Sequence, residues 1–308
     1  MKREKRSVTG ILLLNKPLGI SSNAALTRTK ILFNADKAGH TGTLDPFASG
    51  LLPVCFGEAT KFAGFMLDAD KTYEAVIHLG QTSSTGDREG TICTELPVRV
   101  TIGDVAEVLN RFTGRITQIP PMHSAIKHQG QRLYQLARQG INVARETRVV
   151  TIHQLELMLF EPPLLTVRVV CSKGTYIRVL AEDIGHSLGC GGMLDALCRI
   201  GTGGFTLKQA STLDHLSELP LDARDQCLMA PDELVAHFSK IELDDREGKS
   251  LLEGRTLLTE MEMEMESGTY RAYGRAGEFF GLVDLSDGVI KARRMMSNPF
   301  LSPDFSAC

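Results

Sequence analysis

The sequence predicts an α+β fold: a large domain over residues 1–240, then a small β-rich domain over 241–308. Three observations carry this. Two neighbouring stretches, 150–160 and 164–172, alternate as a strand pair joined by Glu161-Pro162-Pro163. Apolar residues recur at helical spacing in separate segments, with no repeating strand–helix–strand order. After about residue 240 the texture turns to short strand-like runs divided by glycines.

Taken in order, residues 22–34 read as a helix with Ser21 or Ser22 as its N-cap. A glycine-rich loop, GHTGTLDPFASG, follows over 39–50. Residues 72–79 form a strand pattern, with Tyr73, Ala75, Ile77 and Leu79 on one face. Val105, Val108, Leu109 and Phe112 mark a helix over 102–112 behind Thr101. Residues Gln131–Gln139 suggest a short helix that stops at Gly140. Leu155, Leu157 and Leu159 alternate in one strand of the predicted hairpin, and Leu165, Val167, Val169 and Cys171 in the other. Ile177, Leu180, Ile184 and Leu188 trace a helical stripe ending near Gly189. Residues 213–240 read as a linker and the large domain's last helix. The run MEMEME at 261–266 alternates strictly, which would put Glu260, Glu262, Glu264 and Glu266 on one strand face.

Composition narrows the function classes. The chain has 308 residues, 43% of them hydrophobic and 23% charged, as expected of a globular protein. No apolar run approaches the roughly 18 residues of a membrane span. The basic N-terminus has only a brief apolar stretch before Lys16 and Pro17, unlike a signal peptide. A cytoplasmic protein with no membrane association is expected. The seven cysteines contain no CxxC pair and the histidines no HExxH, so neither a disulfide framework nor a metal is expected. Gly248-Lys249-Ser250 resembles the end of a P-loop, but Leu243 stands where its first glycine belongs. The glycines at 189, 191 and 192 lack the third glycine of a dinucleotide fingerprint.

Net charge is -3, unevenly spread: residues 1–240 are net +2 and 241–308 net -5. Segment 121–149 sets Lys127, Arg132, Arg138, Arg145 and Arg148 against Glu146 alone. Such a patch suits phosphate binding, or is simply a solvated surface. In the glycine-rich loop, Asp45 precedes Pro46. One reading makes Asp45 the N-cap, and Pro46 the first residue, of a short helix. The other presents a carboxylate, ionised at neutral pH, beside His40, Thr41 and Thr43.

The segment GHTGTLDPFASGLLPVCFGEATKF closely resembles the signature of the TruB-type tRNA pseudouridine synthases. LLLNKPLGISSN, KTYEAVIHLGQTSSTGDREG, PPMHSAIKHQGQRLYQLARQG and CSKGTYIRVLAEDIG match further segments of that family. The resemblance implies a pseudouridine synthase fold: a mixed, largely antiparallel central sheet with flanking helices, plus a small β-barrel-like PUA domain that binds RNA. It implies Asp45 as catalytic aspartate, with Tyr73 and Arg178 as its catalytic companions. His40, Tyr73, Tyr176, Leu197 and Lys16 fall on its substrate-binding positions.

The implied activity isomerises uridine 55 in the T-arm loop of tRNA, flipping the base and using no cofactor. Segment 121–149 corresponds to the insertion that grips the T-arm. A monomer with no obligatory protein partner is expected. By periodicity alone, Tyr73, Tyr176 and Leu197 are ordinary core residues, and His40 a loop histidine bonded to a backbone carbonyl. Three other functions stay open: an RNA-guided rRNA pseudouridine synthase, a non-catalytic tRNA-binding or folding factor, and an N-glycoside hydrolase using Asp45.

Overall fold

The computed structural model describes residues 4–124, 126–258 and 265–301. Its principal elements begin with β1 (Gly10–Lys16), α1 (Ser22–Leu32), β2 (Ala48–Phe56), β3 (Lys71–Leu79), α2 (Ile102–Arg111) and β4 (Gly114–Gln118). Next come α3 (Leu133–Arg138), β5 (Arg148–Glu161), β6 (Leu164–Cys171), α4 (Ile177–Ser187) and β7 (Gly192–Thr202). The C-terminal part holds β8 (Ser239–Leu243), α5 (Asp245–Leu252), β9 (Gly268–Gly274), β10 (Glu278–Ser286) and β11 (Val289–Leu301). No helix among the described residues is long and apolar enough to cross a membrane.

Among the described residues a ten-stranded mixed sheet forms the centre, with β1, β2, β7, β3, β6, β5 and β4 side by side. β2 and β7 run parallel, and the other neighbouring pairs in that series are antiparallel. The sequence explains the centre. β1 and β2 are apolar on both faces and almost wholly buried, as strands covered on both sides must be. Leu12, Leu14, Leu52, Val54, Ala75, Ile77, Val167 and Val169 face a core shared with Ala25, Val105, Leu109, Leu180 and Ile184 of the helices.

Helix starts follow local chemistry. Ser21 Oγ accepts from Ala24 N at 3.1 Å, so Ser21 is the cap of α1. The predicted helix 102–112 is α2, opened by a capping box between Thr101 and Asp104. The predicted hairpin is β5 and β6, paired along their lengths.

On the opposite face of the sheet, Ile11, Leu13, Leu51, Cys55 and Phe62 pack with Leu234, Phe279, Leu282 and Met296. The last three come from the C-terminal five-stranded half-barrel sheet, ordered β8, β9, β10, β11 and Leu257–Leu258. Residues 213–240 do not make one helix. They break into Leu213–Glu218, Leu221–Asp225 and a 3-10 turn at Pro231–Val235. Pro220 interrupts the first break and Pro231 the second. Of the alternating run at 261–266, residues 261–264 lie outside the described residues, as does Glu260; Met265 and Glu266 are not in a strand.

Candidate active site

Asp45 lies in the loop between the short strand Ala38–His40 and β2. It caps no helix: Ala48 N donates to Asp45 O at 3.1 Å, closing a tight turn, and the chain enters β2 directly. The loop is pinned from two sides. Ser22 exchanges both bonds with Leu44: its Oγ donates to Leu44 O at 2.9 Å and accepts from Leu44 N at 2.8 Å. Gly19 N donates to Pro46 O at 2.8 Å. The Asp45 side chain keeps 41% of its surface open.

Arg178 is the second residue of α4. Its guanidinium is almost fully buried and stands between two carboxylates. Nη2 lies 3.1 Å from Asp45 Oδ2, and Nη1 lies 3.4 Å from Asp87 Oδ2. Nη1 also donates to Thr85 O at 3.1 Å and Nη2 to His123 O at 2.7 Å. Asp87 is buried in its turn, accepting from Thr85 Oγ1 at 2.6 Å and Glu89 N at 3.0 Å. Burial raises the Asp45 pKa, Arg178 and Lys16 oppose that rise, and Asp87 adds to it.

The other expected residues converge from neighbouring strands. Lys16 pairs with Gly50, Gly50 with Arg199, and Arg199 with Tyr73, in one row across β1, β2, β7 and β3. Leu197, also buried, pairs with Ala48 and Ala75 in the adjoining row. Burial keeps the Tyr73 phenol protonated well above its usual range, with Arg199 pulling the other way. Tyr176 immediately precedes α4, its backbone fixed by both ends of the Gln118 amide at 3.0 and 3.2 Å. Its phenol pKa is also raised by burial.

Lys16 is fully buried. Its ammonium donates to Pro17 O at 2.9 Å and Ile20 O at 2.8 Å, so it braces the loop beside Asp45. Burial lowers its pKa to about 8, with Asp45 opposing. His40 answers to Arg199 rather than to Asp45: burial and then Arg199 depress its pKa, leaving a neutral imidazole. Its Nδ1 is buried without a hydrogen-bond partner among the described residues, contrary to the loop-histidine reading.

Arg178, Lys16, Tyr73 and Tyr176 thus each stand within electrostatic reach of Asp45. Asp87 and Arg199 join them, although neither stood out in the sequence. Asp87 sits in a Thr-Gly-Asp turn that reads as ordinary loop chemistry. Arg199 follows Leu197 and Cys198 in a strand, with nothing local to distinguish it. Only the fold brings Asp87 to Arg178 and Arg199 to Tyr73.

In segment 121–149 the structure builds a small hairpin, Lys127–His128 with Gln131–Arg132, and the helix α3. α3 is shorter than predicted. Leu133 and Leu136 anchor it, and Gly140 N donates to Ala137 O at 3.0 Å to end it. Lys127, Arg132, Arg138 and Arg148 are exposed, whereas Arg145 bonds to Pro120 O at 3.0 Å. A cleft lined by Leu67, Arg148, Val149, Lys173 and Gly174 opens beside this segment. In the C-terminal sheet, Arg294 Nε donates to Lys61 O at 3.2 Å and Arg293 pairs with Asp284 at 3.1 Å.

Comparison with known proteins gives the same outline. Residues 30–177 match the model described as TruB family pseudouridylate synthase (N terminal domain). Residues 178–236 match a tRNA pseudouridylate synthase B C-terminal domain, and 239–296 match pseudouridine synthase II TruB, C-terminal. The chain is 50% identical over 297 residues to tRNA pseudouridine synthase B of Thiobacillus denitrificans, covering 96% of this chain and 99% of that protein. It is 46% identical over 301 residues to the Pseudomonas aeruginosa protein of the same name, covering 96% and 98%. Among solved structures, the archaeal box H/ACA sRNP Nop10-Cbf5 complex contains a chain that superposes with TM-score 0.69 at 22% identity, over 94% of this chain and 86% of that one. A Cbf5-Nop10-Gar1 complex gives 0.68 at 24%, covering 96% and 83%. At these identities the two structures bear on the fold.

Proposed function

The chain belongs to the TruB family of pseudouridylate synthases, and from that premise we propose that it converts uridine 55 in the T-arm loop of tRNA to pseudouridine. The observation that carries the reading is the Asp45 carboxylate, pinned by a buried arginine and open on its outer side. In the reaction the N1–C1′ bond breaks, the uracil turns, C5 bonds to C1′ and gives up its proton, and N1 takes one up. No electrons enter or leave, so the net change needs no redox partner. Asp45 assists departure of the base while Arg178 keeps it charged and aimed. Tyr73 offers a flat surface for the uracil and a hydroxyl near the C5 proton, while Leu197 helps exclude water.

The target base must leave its stack, and we assign His40 to the space it vacates. A neutral imidazole can stack there without placing a charge among the bases. Lys16 acts by bracing the neighbouring loop, and Tyr176 by walling the pocket. The exposed basic residues of segment 121–149 supply phosphate contacts, which supports a stand-alone tRNA enzyme acting as a monomer over an RNA-guided one. A C-terminal PUA-like RNA-binding domain over 241–308 completes the assignment.

Purified protein incubated with unmodified tRNA, with no guide RNA and no added cofactor, tests the reading. Pseudouridine mapping should find one new pseudouridine, in the T-arm loop. Released free uracil would instead indicate hydrolysis, and tight binding without conversion would indicate a folding factor.

A further inference from the structure

Among the described residues Arg199 is the bulkiest of the fully buried side chains, with 1% of its surface exposed. Among the described residues it has no carboxylate within salt-bridge distance. A buried cation without a counter-charge is costly, so its surroundings must explain it. Nε donates to Leu51 O at 2.7 Å and Nη2 to Gly42 O at 3.1 Å. These two carbonyls bracket the loop that carries Asp45, one before it and one just inside β2. The guanidinium therefore ties the loop's entrance to its exit.

The same residue faces Tyr73. Cross-strand partners in register project to one side of a sheet, and Arg199 pairs with Tyr73 across β7 and β3. On its other flank the partner is Gly50, at φ 103°. A Cβ on Gly50 would come within 2.3 Å of Arg199 O, so glycine alone permits so close an approach. The missing side chain leaves the row between Lys16 and Tyr73 to Arg199. The charge of the guanidinium acts on the Tyr73 phenol beside it.

We infer that Arg199 is a positioning residue for the isomerisation, holding the Asp45 loop and the Tyr73 ring in fixed relation through one buried guanidinium. The inference rests on the function proposed above. A guanidinium can span two carbonyls and still set its charge beside a neighbouring phenol, because its donors diverge within a rigid plane. A lysine ammonium keeps the charge but not that span. Arg199 needs no contact with RNA, so its loss should fall on the rate rather than on binding.

The test uses full-length Arg199→Lys and Arg199→Gln with unmodified tRNA. Turnover at saturating tRNA should drop at least about 10-fold in Arg199→Lys and further in Arg199→Gln, with tRNA affinity within about twofold of wild type. In a Tyr73→Phe background the lysine substitution should cost much less than in wild type, because the two residues act as a unit. Wild-type turnover by Arg199→Lys, equal losses in rate and affinity, or full additivity with Tyr73→Phe would each overturn the role.

A second measurement avoids altering Arg199 at all. Its Nε–H, buried and bonded to Leu51, should give a slowly exchanging nitrogen-15 signal that moves in Tyr73→Phe. A signal that stays put would also overturn the inference. Wild-type protein that makes no pseudouridine would count against the function instead, and leaves the Arg199–Tyr73 contact to this signal.

Discussion

Arg178 Nη2 stands 3.1 Å from Asp45 Oδ2, with the guanidinium 6% exposed and the carboxylate 41% exposed. The cation is locked and the anion is accessible. An accessible ion pair of this kind adds little to stability, so its geometry serves presentation of the carboxylate. Asp45→Asn keeps the shape and loses the charge. It should bind tRNA nearly as wild type does and form no pseudouridine. Turnover by that variant, once deamidation back to Asp is excluded by mass spectrometry, would sink the assignment.

Arg178→Lys tests the other partner. The guanidinium reaches Asp45, Asp87, Thr85 O and His123 O at once. A lysine has one nitrogen to serve four acceptors and leaves buried groups unsatisfied. The expected loss is about 10- to 1,000-fold in kcat with tRNA affinity little changed. Single-turnover rates and filter binding on the same preparation check both halves, and a fully active lysine variant would refute the role.

In the proposed reaction Asp45 must be ionised, and its pKa is raised, chiefly by burial. It therefore takes up a proton at a higher pH than a free aspartate would. The acid limb of kcat against pH should lie above the ordinary aspartate value of 3.8. Asp87 contributes to the rise through its negative charge. Asp87→Asn should thus move the limb to lower pH even as it loosens Arg178 and lowers the plateau. A limb that moves upward in Asp87→Asn would contradict the electrostatics argued here.

The sequence made Asp45, Tyr73 and Arg178 legible through segments that resemble a known family, and local pattern placed the helices and the β5–β6 hairpin that frame them. What it left hidden has one physical cause. Asp87 and Arg199 owe their roles to partners about 91 and 126 positions away, and no short-range periodicity encodes such pairings. The N-cap reading of Asp45 failed for a related reason. An Asp-Pro step is compatible with either a helix start or a tight turn, and the parallel pairing of Ala48 with Leu197 draws the chain into a strand. His40 was ambiguous for want of a visible partner. Its unbonded Nδ1 is a property of the packed loop.

Segment 121–149 divides into two parts. His123 O accepts from the pocket's Arg178, so removing the whole of 121–149 would damage chemistry as well as binding. A cleaner variant reverses only exposed charges: Lys127→Glu, Arg132→Glu and Arg138→Glu together. Loss of about three phosphate contacts should weaken tRNA binding and flatten the slope of log affinity against log salt by roughly two units. Turnover at saturating tRNA should hold. An unchanged salt slope would show that these side chains do not meet phosphate.

The C-terminal half-barrel bears on stability. Simple separation of the two domains would predict that truncation near residue 240 lowers affinity and nothing more. The packing argues otherwise. Phe279 is fully buried, with its ring 5.3 Å from Phe62 and 5.4 Å from Tyr273. Leu282 and Met296 share its apolar cluster with Leu51, whose carbonyl also receives Arg199 Nε. Truncation would expose this apolar face of the large sheet. Phe279→Ala isolates the effect, because it leaves the exposed basic residues Lys291, Arg293 and Arg294 in place. Removing a buried aromatic ring costs about 3–5 kcal/mol, so its urea midpoint should fall well below that of wild type. Rate at saturating tRNA should persist at low temperature, since Asp45, Tyr73 and Arg178 all precede the half-barrel. A variant as stable as wild type would show that the two sheets do not depend on each other. A folded variant with normal affinity and no turnover would show that the half-barrel reaches the chemistry through Leu51.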